Sequence, residues 1–369
     1  MAETRRPAST SPPHSFASAI RATDTHLKSQ PEQASDPGPA QGGHAAPPLG
    51  GTREPRSSLT PSRCGVLVIN RAARADRRAW MQVGVDSLRS AGWNVAIVEA
   101  TDGGRTVLAS GGGSGVTDGI SHASYAPPWG ASESVRRLGR DFASLGRPRP
   151  ASEVRYYYGR PASPPEVGLV LSNLRCLQIA VRRGWDWTLI LEDDCVPMGA
   201  VGAVRSGRWG APEVSAAWRD MLSTWQRTVQ EEVLGPCHMI NLGASIFAED
   251  AQRQGSALVR APYYWCAQSV AFSLQGAAWI LARERRLRGA VVAWDDMLTV
   301  LAMGGEHPLE WGRELWRRHY ATHAADSPMV SLCFRRRLST QLSDSRIQRS
   351  AGASSSAGRS DINLPTVLS

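Results

Sequence analysis

Short continuous apolar runs alternate along the chain with runs of helical periodicity. Residues 65–69 are an uninterrupted apolar run, typical of a buried strand. A helical pattern follows, which we expect Asp76 to cap and Gly92 to end. A second strand is predicted over residues 94–98. Strand, helix and strand in such close succession predict a βαβ unit with a parallel strand pair.

A long helix and another buried strand are predicted further on. Ser163 and Glu166 have the spacing of a capping box, with proline at the first helical position. Apolar residues then recur at helical spacing, and Gly184 is placed to close the helix. Residues 187–191 are an apolar run typical of a strand. The pattern predicts an α/β fold of the Rossmann type, a doubly wound and mostly parallel sheet with flanking helices.

Shorter elements continue this alternation in the second half of the chain. Helices are predicted at 213–229, at 275–283 and from Trp294 onward, and strands at 238–242 and 270–273. The helical segments carry apolar residues on one side, which predicts that each covers a face of the sheet.

Composition divides the chain into three parts. Residues 1–62 are rich in Pro, Ser, Ala and Gly, so a disordered leader is predicted there, and residues 347–369 are predicted to be a disordered tail. Residues 63–346 are expected to form the folded domain. An irregular insertion at about 103–160 interrupts this domain. Its glycine-rich stretch is not a phosphate loop, because no Lys-Ser/Thr pair follows the glycines.

The formal net charge of +9 is carried by scattered arginines, and Lys28 is the only lysine. We therefore predict no nucleic-acid partner, since a binding stripe would need clustered basic residues. Arg335, Arg336 and Arg337 do form a basic cluster, interpreted as part of a solvated tail, with phosphate contact as the alternative.

The cysteines and the hydropathy pattern bear on the compartment. The six cysteines lack the short spacing of zinc or redox motifs, which predicts free and mostly buried thiols. No apolar run reaches about 18 residues, so no transmembrane segment is predicted. The N-terminus has no hydrophobic signal core, which favours the cytoplasm; an endomembrane lumen is the alternative if the N-terminus is incomplete.

Three adjacent carboxylates, Glu192, Asp193 and Asp194, stand where the third strand-like run ends. Strand alternation predicts Glu192 and Asp194 on one side and Asp193 on the other. Carboxylate oxygens at the carboxyl end of a sheet strand suit Mg²⁺ or Mn²⁺, which complete their shells with water and phosphate oxygens. A metal-bound diphosphate is therefore predicted, with a solvated acidic turn as the alternative.

Other polar and aromatic residues have simpler interpretations. Asp295 and Asp296 open a helix, and capping explains them without a ligand. His307 has no second ligand paired with it in the sequence, so a structural role is expected. Helical spacing predicts that Trp311 and Trp316 belong to the core.

Several motifs together resemble glycosyltransferase family 25, which includes lipopolysaccharide galactosyltransferases and procollagen galactosyltransferases. The resemblance is carried by residues 65–70, 76–78 and 100–103, by Glu166 with Gly168 and 171–172, by 189–194, and by 272–277, 295–298, 306–308 and 343–344. The later motifs are closer to the procollagen branch. The family implies a GT-A-like fold, a UDP-sugar donor such as UDP-galactose, a Mn²⁺ or Mg²⁺ cofactor and inversion at the anomeric carbon.

Carried over by position, the resemblance assigns metal, donor and catalytic residues. The metal ligands would be Asp194 and Glu192; the donor-binding residues would be Asn70, Asp76, Arg77, Arg78, Glu192 and Asp193; and the base would be Asp295 or Asp296. The expected function is metal-dependent transfer of a hexose, galactose by the resemblance, to a hydroxyl of a glycan, a hydroxylated protein or a lipid.

Two departures from the family pattern leave alternatives open. Asn173 stands where the family has histidine after Ser172, so any role of that histidine is lost or relocated. The later acidic motif is Asp-Asp where Asp-Glu is common, so either aspartate is a candidate base. The alternative functions are a catalytically inactive nucleotide-sugar-binding protein of the same fold and another nucleotide-dependent transferase.

Overall fold

The computed structural model describes residues 59–103, 162–246, 252–253, 257–261, 263–322 and 327–341. The predicted tail, nearly all of the predicted leader and most of the predicted insertion lie outside these residues. The folded body nevertheless begins before the predicted boundary at residue 63. Leu59 is buried, and the side chains of Gln226 and Gln230 donate hydrogen bonds to its carbonyl oxygen.

The described part of the chain alternates strands and helices in its first half and has shorter elements in its second. The strands are β1 Cys64–Asn70, β2 Asn94–Glu99, β3 Trp187–Glu192, β4 Cys195–Pro197, β5 Met239–Asn241, β6 Ser245–Ile246, β7 Gln252–Arg253, β8 Leu258–Arg260, β9 Tyr264–Trp265, β10 Ser269–Ser273, β11 Ser331–Phe334 and β12 Ser339–Gln341. The α-helices are α1 Ala75–Ser90, α2 Pro164–Arg183, α3 Val201–Arg205, α4 Pro212–Glu232, α5 Leu274–Leu281, α6 Glu284–Gly289, α7 Trp294–Met303 and α8 Glu310–Leu315.

The predicted βαβ unit is confirmed, because β1 and β2 pair in parallel with α1 between them. The predicted cap of α1 is wrong: Arg74 occupies the N-cap position, and Asp76 lies in the first turn. The Arg74 guanidinium donates two hydrogen bonds to the Asp76 carboxylate. Gly92 lies in the following turn with φ of +85°.

The ends of α2 agree with the prediction. Ser163 and Glu166 form the capping box, in which the Glu166 carboxylate accepts from the backbone amide and the hydroxyl of Ser163. Gly184 ends the helix in the left-handed conformation, with φ of +63°. This cap delivers the chain directly into β3.

An eight-stranded sheet, in the order β2-β1-β3-β10-β5-β11-β8-β7, forms the centre of the domain. Parallel pairs join β1 to β2, β1 to β3 and β5 to β11. Because β10 and β8 are antiparallel to both of their neighbours, the other six strands share one direction, so the sheet is mostly parallel. The chain leaves β1 for β2 on one side and returns to β3 on the other, which creates a topological switch point at their carboxyl ends.

Apolar side chains of the central strands alternate between two core layers, one on each face of the sheet. Val66 and Val68 pack in the layer with α1 and α4, whereas Leu67 and Ile69 pack in the layer with α2 and α7. Helices therefore cover both faces, as predicted for a doubly wound sheet. Among the described residues, no helix has both the length and the apolar character needed to cross a bilayer.

Other predictions about the core are confirmed. All six cysteines are free thiols, and all but Cys266 are buried. Trp311 and Trp316 are buried in the core layer that contains α2. The aromatic side chains on α4 pack against the other face of the sheet, where Trp218 contacts Trp80 of α1.

Candidate functional site: a cleft at the carboxyl ends of β1, β2 and β3

A cleft of about 430 Å³ opens at the switch point between β1 and β3. Its walls come from the ends of three neighbouring strands and from the first turns of α1 and α2. The lining residues are Ile69, Arg71, Arg74, Arg77, Ala100, Thr101, Asp102, Gly103, Pro164, Pro165, Gly168, Leu169, Ser172, Glu192 and Asp193. The volume lies in the range of small-molecule and cofactor sites.

Two glycines let the backbone after β2 lie against the first turns of α2. A Cβ atom on Gly168 would lie 2.5 Å from the carbonyl oxygen of Thr101, and one on Gly103 would lie 1.7 Å from that of Pro164. The Ser172 hydroxyl accepts a 2.8 Å hydrogen bond from the Thr101 amide. Glu166 and Gly168 therefore both have structural roles, since Glu166 caps α2 and Gly168 leaves room for the neighbouring loop.

We expect Gly168→Ala to destabilise the domain by about 1–3 kcal/mol, because the methyl group would force two backbone segments apart. The matched control is Gly202→Ala, where the added methyl meets open space and the higher helix propensity of alanine is gained without a clash. Urea denaturation of both variants measures the difference. Equal stability of the two would contradict the close approach of Gly168 to Thr101.

The acidic triplet does not follow strand alternation. Strand β3 ends at Glu192, and Asp193 and Asp194 lie in the turn that follows. Instead of facing opposite sides as predicted, both aspartates contact Arg77, whose Nη1 lies 2.5 Å from Asp193 Oδ1 and 3.3 Å from Asp194 Oδ2. The prediction failed because alternation holds only while the chain stays extended.

Further contacts hold the two aspartates in place. The buried Asn70 donates a 2.8 Å hydrogen bond from Nδ2 to Asp193 Oδ2. Gln341 of β12 donates a 2.9 Å hydrogen bond to Asp194 Oδ2. Asn70, predicted to bind the donor, thus positions a carboxylate in the described structure, and Gln341 was missed by sequence reasoning because it lies 147 residues beyond its partner.

Arginines line the same cleft as the acids. Arg71, Arg74 and Arg77 line the cleft. Of the predicted donor residues in this segment, Arg77 is brought to the site, whereas Asp76 pairs with Arg74 and Arg78 is exposed on α1. Arg71 and Arg74 were not predicted, although their position just after β1 is where ligands bind in open α/β sheets.

Burial and neighbouring charge act strongly on Glu192. Burial raises the pKa of this carboxyl well above its usual value, and the negative charges of Asp194, Asp295 and Asp193 raise it further. Glu192 therefore holds a proton more readily than an ordinary glutamate. Its predicted role as a metal ligand stays a prediction.

The two candidate bases have different surroundings. Asp295 is half-buried; it accepts hydrogen bonds from the backbone amides of Cys266 and Asp296, and burial raises its pKa. Asp296 is buried and accepts a 3.0 Å hydrogen bond from the Tyr263 hydroxyl within the core. The charge of Asp295 is one of those that raise the pKa of Glu192, whereas Asp296 has the Tyr263 hydroxyl as a partner in the core.

Cys266 adds a conformational feature beside Asp295. It has φ of +70°, the left-handed conformation that non-glycine residues rarely adopt. Asn241 donates a 2.8 Å hydrogen bond from Nδ2 to the Cys266 carbonyl, and the Cys266 amide donates a 3.3 Å hydrogen bond to Asp295 Oδ2. These contacts hold the turn that orients the Asp295 carboxylate.

The donor set suits a divalent cation. Asp193 and Asp194 approach a single atom of Arg77, so their oxygens converge on one point, and hard cations need one or two such carboxylates with phosphate and water. Within the described ranges no group of three or more His, Cys, Asp or Glu side chains is arranged to hold a metal ion. A cation here would therefore depend on the diphosphate to complete its shell.

Two residues singled out from the sequence have structural roles. Asn173, in the family's histidine position, is buried and donates a hydrogen bond to the Leu169 carbonyl of its own helix. His307 is buried; its Nδ1 accepts a hydrogen bond from the Leu309 amide, and its ring lies edge-on to that of Tyr263.

The basic cluster of residues 335–337 follows β11. Its last member, Arg337, donates a 2.7 Å hydrogen bond to the Ser245 hydroxyl.

His307 should make the protein acid-sensitive. Burial lowers its pKa from 6.5 to about 4. Between these values the unfolded chain binds a proton that the folded protein excludes, so stability present above pH 6.5 is lost as the pH falls toward 4. We expect His307 to contribute a loss of about 3 kcal/mol over this window. Denaturation of wild type and His307→Gln at a series of pH values checks this, and an unchanged pH slope in the variant would contradict it.

Comparison with known proteins adds no assignment. No protein-family model matches the chain, and no curated protein matches it significantly. The resemblance to glycosyltransferase family 25 therefore stays a prediction from its motifs. The cleft and its residues carry the functional proposal.

Proposed function

We propose that this protein is a metal-dependent, inverting glycosyltransferase that transfers a hexose from a UDP-sugar to an acceptor hydroxyl. The observation that carries the proposal is the cleft at the switch point, which is lined by Arg71, Arg74 and Arg77 together with Glu192 and Asp193. This combination offers anion-binding and cation-binding groups side by side, as a metal-bound diphosphate requires. The GT-A-like form of the fold and galactose as the sugar belong to the same proposal.

The arginines supply the first part of donor binding. The Arg71 guanidinium presents a planar set of donors that matches phosphate oxygens, and Arg74, which pairs with Asp76, lines the same cleft. The backbone after β2 adds Thr101 and Asp102 to the cleft, which provide polar groups for the nucleoside. Because the glycine contact fixes this backbone against α2, the nucleoside side of the cleft is formed before the donor binds.

The acids supply the second part. A divalent cation held by Asp193 and Asp194 would neutralise the charge of the departing diphosphate. Asn70 and Gln341 hold these carboxylates in place, so little rearrangement of the acids is needed when charge develops. The negative charges of Asp193, Asp194 and Asp295 all act on Glu192 and, together with burial, raise its pKa.

Asp295 is the proposed base for the acceptor hydroxyl. Burial raises its pKa, which makes its carboxylate a stronger proton acceptor than an exposed aspartate. Inversion requires the acceptor oxygen to approach from the side opposite the departing diphosphate, so binding must align both substrates. The backbone amides of Cys266 and Asp296 keep the Asp295 carboxylate in one orientation for this step.

A donor screen tests the proposal. Thermal stability of the full chain is measured with UDP-, GDP- and CMP-sugars, with and without Mn²⁺, since a ligand that binds the folded state raises its apparent stability. UDP release is then followed with the best donor. We expect stabilisation by a UDP-sugar with Mn²⁺, and turnover. Binding without turnover would instead support the inactive nucleotide-sugar-binding protein, and preference for nucleoside triphosphates would support another nucleotide-dependent transferase.

A further inference from the structure

Arg77 occupies the point on which the acidic pair converges. Its side chain is 14% exposed, and one nitrogen, Nη1, lies within ion-pair distance of both Asp193 and Asp194. Asp193 and Asp194 are themselves buried, with side chains 10% and 7% exposed. A cation therefore already neutralises this pair in the described structure, and that cation belongs to the protein.

A metal ion and this guanidinium cannot share the pair in the same arrangement. Mg²⁺ binds carboxylate oxygens at about 2.1 Å, which is closer than the guanidinium nitrogen. Arg77 approaches Oδ1 of Asp193 and Oδ2 of Asp194. Asn70 donates to the other oxygen of Asp193, and Gln341 donates to the same Asp194 oxygen as Arg77. Two positive charges on the same oxygens also repel each other.

The cleft offers the Arg77 side chain an alternative position. It lines the cleft together with Arg71 and Arg74, so its guanidinium lies at the boundary between the acids and the space proposed for the diphosphate. It projects from the first turn of α1, and a change of side-chain rotamer alters its direction without moving the helix. A diphosphate in the cleft offers it anionic oxygens in exchange for the carboxylates.

We infer that Arg77 competes with the divalent cation for Asp193 and Asp194, and that a diphosphate in the cleft draws Arg77 away and opens the pair to the cation. This inference rests on the proposed function and adds a regulatory step to the same site. Arg77 thereby couples the two ligands: the protein alone binds the cation weakly, and the donor raises its affinity for the cation. By the same linkage the cation raises affinity for the donor.

The test measures Mn²⁺ binding directly, as free Mn²⁺ by electron paramagnetic resonance, in the absence of any nucleotide. We expect Arg77→Gln to bind Mn²⁺ about tenfold or more tightly than wild type. Asp194→Asn added to Arg77→Gln should abolish that gain, which locates the ion at the acidic pair. Adding UDP should raise Mn²⁺ affinity more in wild type than in Arg77→Gln.

Arg74→Gln is the matched control, because Arg74 lines the same cleft and carries the same charge but pairs with Asp76. An equal gain in Arg74→Gln would overturn the inference, since general charge would explain it. Equal and tight binding in wild type and Arg77→Gln would overturn it too, while leaving the metal site intact. Absence of Mn²⁺ binding in every variant would overturn it together with the metal part of the function, and UDP binding without metal would then show whether the cleft still takes a nucleotide.

Discussion

Asp295→Asn is expected to lower turnover about 10²- to 10⁴-fold, the usual contribution of a general base. Asparagine has nearly the same shape but cannot take a proton; its single oxygen can accept from only one of the Cys266 and Asp296 amides, which bond to different oxygens of Asp295. Donor binding, measured by thermal shift, should therefore remain while UDP release is lost. The acid limb of the pH profile in wild type should lie above that of an ordinary carboxyl, because burial raises the pKa of Asp295.

Asp296→Asn is the matched control for this prediction. The Asp296 carboxylate accepts from the Tyr263 hydroxyl in the core, so its replacement should mainly reduce stability, by about 1–2 kcal/mol, and leave turnover within tenfold of wild type. The reverse result, an active Asp295→Asn and a folded but inactive Asp296→Asn, would assign the base to the other aspartate. The two variants differ by one position, so their comparison isolates the placement of the carboxylate.

Asp194→Asn is expected to lower turnover about 10²- to 10³-fold, as is typical when a group that stabilises developing charge is removed. The amide oxygen can still accept from Gln341, so β12 should stay paired with β4. The loss should accompany a higher Mn²⁺ requirement, which a metal titration of UDP release measures.

Asp186→Asn serves as the control for charge alone. Asp186 precedes β3 at the opposite end of that strand and pairs with Arg63 on the surface. We expect its turnover to match wild type. Unchanged turnover in Asp194→Asn would reject the metal role proposed for the acidic pair.

Local sequence patterns predicted the elements well where each depends on neighbouring residues. The capping box of Ser163 and Glu166, the left-handed Gly184 and the buried strand after it were all predicted from short stretches. The cap at Asp76 was not, because the helix begins at Ala75, which puts Arg74 at the N-cap position and Asp76 in the first turn, paired with Arg74. A preference for one residue type does not by itself decide where a helix begins.

The amino-acid sequence by itself determined the α/β alternation, the strand that ends in Glu192 and the free thiols, since these follow from periodicity, caps and spacing. Only the tertiary structure decided which side chains meet. Arg77 contacts Asp193 and Asp194, Gln341 donates a hydrogen bond to Asp194, and the Tyr263 hydroxyl donates one to Asp296. These contacts join segments far apart in the chain, and their geometry depends on strand order and on turns after strand ends, which local patterns do not encode.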